Sequence, residues 1–149
     1  MDDVQAAKAP IHLWIVGILS LIWNGFGCTD YLMTRMHNME WLAQSGGDPQ
    51  AMLDWVDGFP IWAQSGWALG VWMGLLGAVL LLLRSRWAVW SFGLSLVGAI
   101  LGLGYQITMA PPLAGADDMF SRVMPYVIIL VAVALFLYAR AQAAKGILR

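Results

Sequence analysis

Asp30 is the side chain that most invites a chemical reading, because its carboxylate sits in an apolar run that also carries Asn24 and Tyr31. An acid placed in hydrocarbon must be hydrated, paired or used, and its uses are ion coupling, proton relay and recognition of a polar ligand. On a helix, Asn24, Gly27, Cys28 and Tyr31 share one face and Asp30 projects from the neighbouring one. Asp30 falls ~29 Å along the axis from Ile11 at 1.5 Å per residue, near the outer boundary of a bilayer core. Gln64 from a second apolar run and Gln106 from a third reach a similar depth. Asn24, Asp30, Tyr31, Gln64 and Gln106 therefore define an expected polar pocket that opens outward and suits a small polar solute or a lipid headgroup. Arg35, five residues beyond Asp30 in the chain, is its nearest basic candidate partner. The competing reading is interhelical hydrogen bonding, in which these groups satisfy one another and bind nothing.

A second group, Met33, Met36, His37 and Met39, offers thioethers and an imidazole, soft ligands that suit Cu(I). Its alternative is packing, since a chain with 9 methionines places many of them against membrane helices. Nothing points to an enzyme. There is no Gly-rich phosphate loop, no H-E-x-x-H pair and no G-x-S-x-G elbow, and His12 and His37 lie near opposite ends of one run. No catalysis and no cofactor are expected. Cys28 is the single cysteine, so it forms no internal disulfide, and a small buried thiol used for packing is its plainest role.

The elements that would position these residues are four apolar runs over about 11–33, 59–83, 87–109 and 123–139, each reaching or approaching the ~20 residues that cross a bilayer. With 60% hydrophobic and 11% charged residues, the 149-residue chain has too little polar surface to coat a water-soluble domain. The expected fold is all-α, a single polytopic membrane domain over 1–149 built as an antiparallel four-transmembrane-helix bundle. A net charge of -1 and the lack of any basic tract set nucleic acid aside. The first run is too long for a signal peptide and is read as a retained helix.

Six of the eight basic residues, Lys8, Arg84, Arg86, Arg140, Lys145 and Arg149, flank the runs on one side, whereas Arg35 and Arg122 lie on the other. The positive-inside rule then places both termini in the cytoplasm. Glu40, Asp48, Asp54, Asp57, Asp117 and Asp118 all fall in the two outward connections. The Arg84-Ser85-Arg86 turn is too short to cross another helix, so it makes the second and third spans neighbours. In the first outward connection Asp48-Pro49 reads as an N-cap followed by proline at the first helical position, and Gly58 reads as a stop. A short helix over about 49–57 is expected, lying in the membrane interface with Trp55 at headgroup depth or capping the bundle from outside. Pro111 and Pro112 end the third span, Asp117 or Asp118 caps the fourth, and Pro125 is expected within its first turns.

Helices in lipid associate through close backbone approach and interhelical hydrogen bonds, so small residues at four-residue spacing mark packing faces. Gly66, Gly70 and Gly74 form one such stripe, and Ser91, Ser95, Gly98 and Gly102 form another. They are expected to face each other or the first helix. Trp14, Trp87 and Trp90 fall near the inner boundary and Trp41, Trp55, Trp62 and Trp67 near the outer one, as interfacial indoles do.

The segments Leu21-Ile22-Trp23-Asn24-Gly25-Phe26-Gly27 with Asp30-Tyr31-Leu32-Met33-Thr34, Gly58-Phe59-Pro60-Ile61-Trp62, Leu80 through Arg86, and Leu137-Tyr138-Ala139-Arg140 carry a resemblance. Together they resemble a family of small proteobacterial integral membrane proteins of uncharacterised function, some of whose members carry the label sugar transporter. The resemblance covers most of the chain and implies a four-span inner-membrane protein. It brings no functional residues to carry over. Three functions are therefore weighed from the residues. The first is an accessory protein that binds a membrane-protein partner, a second copy of itself or lipid, motivated by small size and the absence of deep charge. The second is a small oligomeric solute transporter built on Asp30. The third is Cu(I) binding on the outward side.

Overall fold

Local chemistry sets the helix ends in this computed structural model, which describes residues 8–149; the chain ahead of Lys8, expected in the cytoplasm, lies outside them. Four helices are long and apolar enough to cross a membrane: α1 (Ile11–Arg35), α4 (Ile61–Leu82), α5 (Trp87–Thr108) and α6 (Met119–Ala144). Two short helices, α2 (Met39–Ala43) and α3 (Pro49–Asp57), occupy the α1–α4 connection. Pro60 holds extended backbone ahead of α4, so the second span starts two residues later than its apolar run. Asp48 accepts a hydrogen bond from the Gln50 amide, Pro49 takes the first helical position and Gly58 follows the last turn, which delimits α3.

The fourth span departs furthest from its expected bounds, 119–144 in place of about 123–139. Asp118 caps it by accepting from the Ser121 amide at 3.0 Å, which sets the first turn ahead of the apolar run. Pro125 consequently lies beyond the first turn, inside the helix, and its missing amide leaves the Ser121 carbonyl without the usual i+4 donor. The five-residue α2 was not expected. Asn38 nucleates it by accepting from the Trp41 amide, a cap whose following segment is too short to show a helical period.

Each long helix packs chiefly on the next in the chain, closest between α4 and α5, then α1 with α4 and α5 with α6. The four-residue turn makes α4 and α5 antiparallel neighbours. Their seam is nearly free of side chains. A Cβ on Gly98 would fall 2.6 Å from the Gly66 carbonyl oxygen, and one on Gly66 would lie 2.9 Å from the Gly102 amide, so these backbones touch. Ser91 and Ser95 donate across the seam to the Met73 and Gly70 carbonyls, each at 2.7 Å. Close approach and hydroxyl-to-carbonyl bonds are the forces available where water is absent.

Sorting of charge gives the molecule a basic end, with Lys8, Arg84, Arg86, Arg140, Lys145 and Arg149, and an acidic end, with the connections that hold α2 and α3 and the loop after α5. The largest apolar cluster lies toward the basic end, where Leu13, Leu81, Phe92, Ala139, Ile147 and Leu148 are buried together. There α1 and α6 converge, and His12 Nδ1 and the Tyr138 hydroxyl share a hydrogen bond. Only 6% of the most apolar stretch of α6 is buried, against 39% for α5, so α6 is the least embedded member of the bundle.

Candidate functional site

Helix geometry first separates Asp30 from its expected partner. Residues five apart are turned by about 140° on a helix of 3.6 residues per turn, so Arg35 cannot lie above Asp30 on the same face. Asp30 Oδ1 instead accepts from the Trp41 indole at 2.9 Å, which ties α2 back onto α1. Arg35 turns toward α3 and α4, pairing with Asp57 at 3.5 Å and donating to Gln64 Oε1 at 3.2 Å. The Gln64 amide donates in turn to the Phe59 carbonyl at 2.8 Å. Arg35, Asp57 and Gln64 thus join α1, α3 and α4.

Between α1 and α4 these groups border a cleft of about 140 Å³ lined by Tyr31, Arg35, Gln64, Ser65, Trp67 and their apolar neighbours. Its chemistry changes with depth. Arg35 and Gln64 lie at the acidic end, and one turn further in the Tyr31 and Trp67 rings meet edge to face with centroids 4.9 Å apart. The arrangement can hold a hydrogen-bonding group at its mouth and an apolar or ring-shaped body below. Of the five expected pocket residues, Tyr31 and Gln64 line this cleft, whereas Asn24, Asp30 and Gln106 do not.

Asn24 lies deeper, at the middle of α1, with its amide donating to Ser20 and its carbonyl oxygen directed at the slot that Gly74 leaves open. That oxygen accepts no hydrogen bond among the described residues. Gln106 is half-buried on α5 and makes no hydrogen bond among the described residues either. Of the neighbouring polar groups, Cys28 donates across to the Val71 carbonyl of α4, whereas Thr29 donates within α1 to the Gly25 carbonyl.

The four soft ligands are divided among different neighbours. Met33 sulfur accepts from the Asn38 amide at 3.6 Å, His37 Nε2 faces Asp57 at 3.8 Å, and Met36 and Met39 are exposed. His37 has φ +54°, the left-handed position that closes the last turn of α1. Its amide bonds Thr34 and the Asn38 amide bonds Met33, the paired contacts of a Schellman motif.

Two features escape a reading from spacing. The Arg35–Asp57 pair spans residues far apart in the chain, and no local pattern joins them. Trp67, assigned from its depth to the interfacial belt, also forms a wall of the cleft. The acidic end is otherwise closed by aromatic contacts. Trp55 donates its indole N–H to the Pro111 carbonyl at 2.7 Å and packs on Phe59, which packs on Tyr105. Comparison with protein-family models, with curated proteins and with solved structures returned no match.

Proposed function

We propose that this protein is a non-catalytic binding component of a bacterial inner membrane, oriented with its basic end in the cytoplasm. It holds a polar group of another membrane component, a lipid headgroup in the first instance, in the cleft between α1 and α4. The observation that carries this reading is the gradient within that cleft, from Arg35 and Gln64 at the mouth to Tyr31 and Trp67 below. Such a gradient matches the passage from headgroup to acyl chain at a membrane boundary. The sorted basic residues support the orientation. The test is purification in mild detergent with native lipids, followed by identification of what travels with the wild type and with a Gln64→Ala, Trp67→Ala variant. A component retained by the wild type and lost from the variant supports the reading. Repeated recovery of a bare monomer from both would remove it.

A small solute transporter is the second reading, and Asn24 is the observation that favours it. An amide oxygen without a donor at mid-depth is where a solute or ion would find a ligand. Uptake into proteoliposomes should then fall in Asn24→Ala. Uptake indifferent to both Asn24→Ala and Asp30→Asn would dismiss transport.

A further inference from the structure

The hydrogen-bonding groups left unspent around the α1–α4 cleft are sorted by kind, and that sorting narrows what the cleft can hold. Arg35 uses one nitrogen, Nη1, for both of its protein contacts, Gln64 Oε1 at 3.2 Å and Asp57 at 3.5 Å. Its Nη2 and Nε make no hydrogen bond among the described residues, and a guanidinium presents its N–H donors as a planar fork. The Tyr31 and Ser65 hydroxyls line the same cleft and are likewise without a hydrogen bond among the described residues. Gln64 differs. Its amide nitrogen donates to the main-chain carbonyls of Phe59 at 2.8 Å and Asp57 at 3.4 Å, so its donors are spent and its oxygen holds Arg35 in place. Donors in excess call for an acceptor-rich group, and phosphate is the one that a guanidinium fork fits best.

The rim supplies the opposite. Asp57 Oδ1 meets Arg35 at 3.5 Å and Oδ2 meets His37 Nε2 at 3.8 Å, both longer than a hydrogen bond, and the side chain is 49% exposed. Its acceptor capacity is open to a donor from outside the protein. The surroundings act in the same direction. Asp30, Glu40, Asp48 and Asp54 lie at this end, where Arg35 is itself paired, so the local field disfavours a ligand of net negative charge and draws in a cation. Ile61 lines the cleft and is 78% exposed, and Ala68 lines it further along α4, which gives an apolar ligand body an edge on hydrocarbon.

Building on the lipid-headgroup reading of this cleft, we infer that its ligand is a zwitterionic phospholipid with a primary ammonium, of the phosphatidylethanolamine type. The phosphodiester meets Arg35 and the Ser65 hydroxyl, the ammonium meets Asp57, and the chains run along Ile61 and Ala68. Phosphate and ammonium stand a short ethylene link apart in that headgroup, as Arg35 and Asp57 stand side by side at the rim. A choline headgroup would turn methyl groups toward Asp57 in place of N–H donors. The rings that could frame a quaternary cation, Tyr31 and Trp67, are instead packed on each other edge to face below the mouth. A glycerol headgroup brings no cation to Asp57 at all.

The test is competitive retention, read by native mass spectrometry of the full chain from micelles holding equal amounts of dioleoyl phosphatidylethanolamine, phosphatidylglycerol and phosphatidylcholine at about pH 8, above the usual titration range of histidine. Wild type should retain the ethanolamine lipid over the other two. Asp57→Asn should lower the ratio of ethanolamine to glycerol lipid roughly threefold, the effect of one half-exposed charge contact. Asp54→Asn, on the same helix but outside the cleft, should leave that ratio unchanged. Because Asp57 also ties α3 to α1, Ser65→Ala provides a second arm: its hydroxyl bonds nothing among the described residues, so its loss should lower retention of the ethanolamine lipid without moving the unfolding transition. A wild-type preference for either other lipid, or a ratio indifferent to Asp57→Asn, overturns the headgroup assignment, while retention lost from the Gln64→Ala, Trp67→Ala variant would still mark the cleft as a lipid site. Wild-type retention of every lipid by that double variant removes both. Displacement of the bound lipid by millimolar O-phosphoethanolamine overturns the lipid in favour of a soluble zwitterion.

Discussion

At the scale of single residues, backbone conformation and capping set the testable energies. His37 and Arg84 both hold left-handed backbone, but only Arg84 has its side chain built into a cavity. His37→Gly should therefore stabilise the protein by about 1 kcal/mol in equilibrium unfolding, since relief of the backbone exceeds the loss of an exposed contact to Asp57. Asp118 gives a pH dependence. The Ser121 hydroxyl first, and then the Ser121 amide, hold its carboxyl below the usual carboxylate range. Protons consequently bind the unfolded form more tightly. The contribution of the cap is complete above the unfolded pKa of about 3.9 and is lost as pH falls through the lower folded value. Hydrogen exchange at the Ser121 amide, corrected for its intrinsic rate, should accelerate below that point in the wild type. It should stay flat in Asp118→Asn, which caps without titrating.

Between elements, the α4–α5 seam separates large effects from small ones. Gly98→Leu inserts a side chain where backbones touch and should destabilise the bundle by about 3 kcal/mol, read as an earlier unfolding transition in detergent. Ser95→Ala removes one hydroxyl-to-carbonyl bond and should cost about 0.6 kcal/mol. A result in which the serine dominated would refute the assignment of close approach as the main force here. This seam is also where spacing was most informative, because a stripe of small residues every fourth position is itself the shape of the contact. Spacing said less about partners. Asp30 and Arg35 are near in sequence, yet the helix turns them apart, and each is satisfied by a residue from another element. The end of α6 did carry a signal, glycine followed by Ile147 and Leu148, the pattern of a helix stop with an apolar contact. That the returning segment would reach Arg84 and Arg86 depended on the packing of α5 and α6, which no local pattern states.

For the whole molecule, the two ends differ in how they are held. Aromatic edges and two indole bonds close the acidic end, whereas buried aliphatic side chains under a returning segment close the basic end. Leu148→Ala should cost about 3 kcal/mol, since it empties a fully enclosed site. The α4–α5 hairpin has a bearing on biogenesis as well. Two helices whose main chains already abut across a four-residue bend can leave the insertion machinery as one object, with the flanking helices added to a finished template. Protease protection of nascent chains should register that pair before α6 has emerged, and protection acquired only at full length would argue for assembly in a single concerted step.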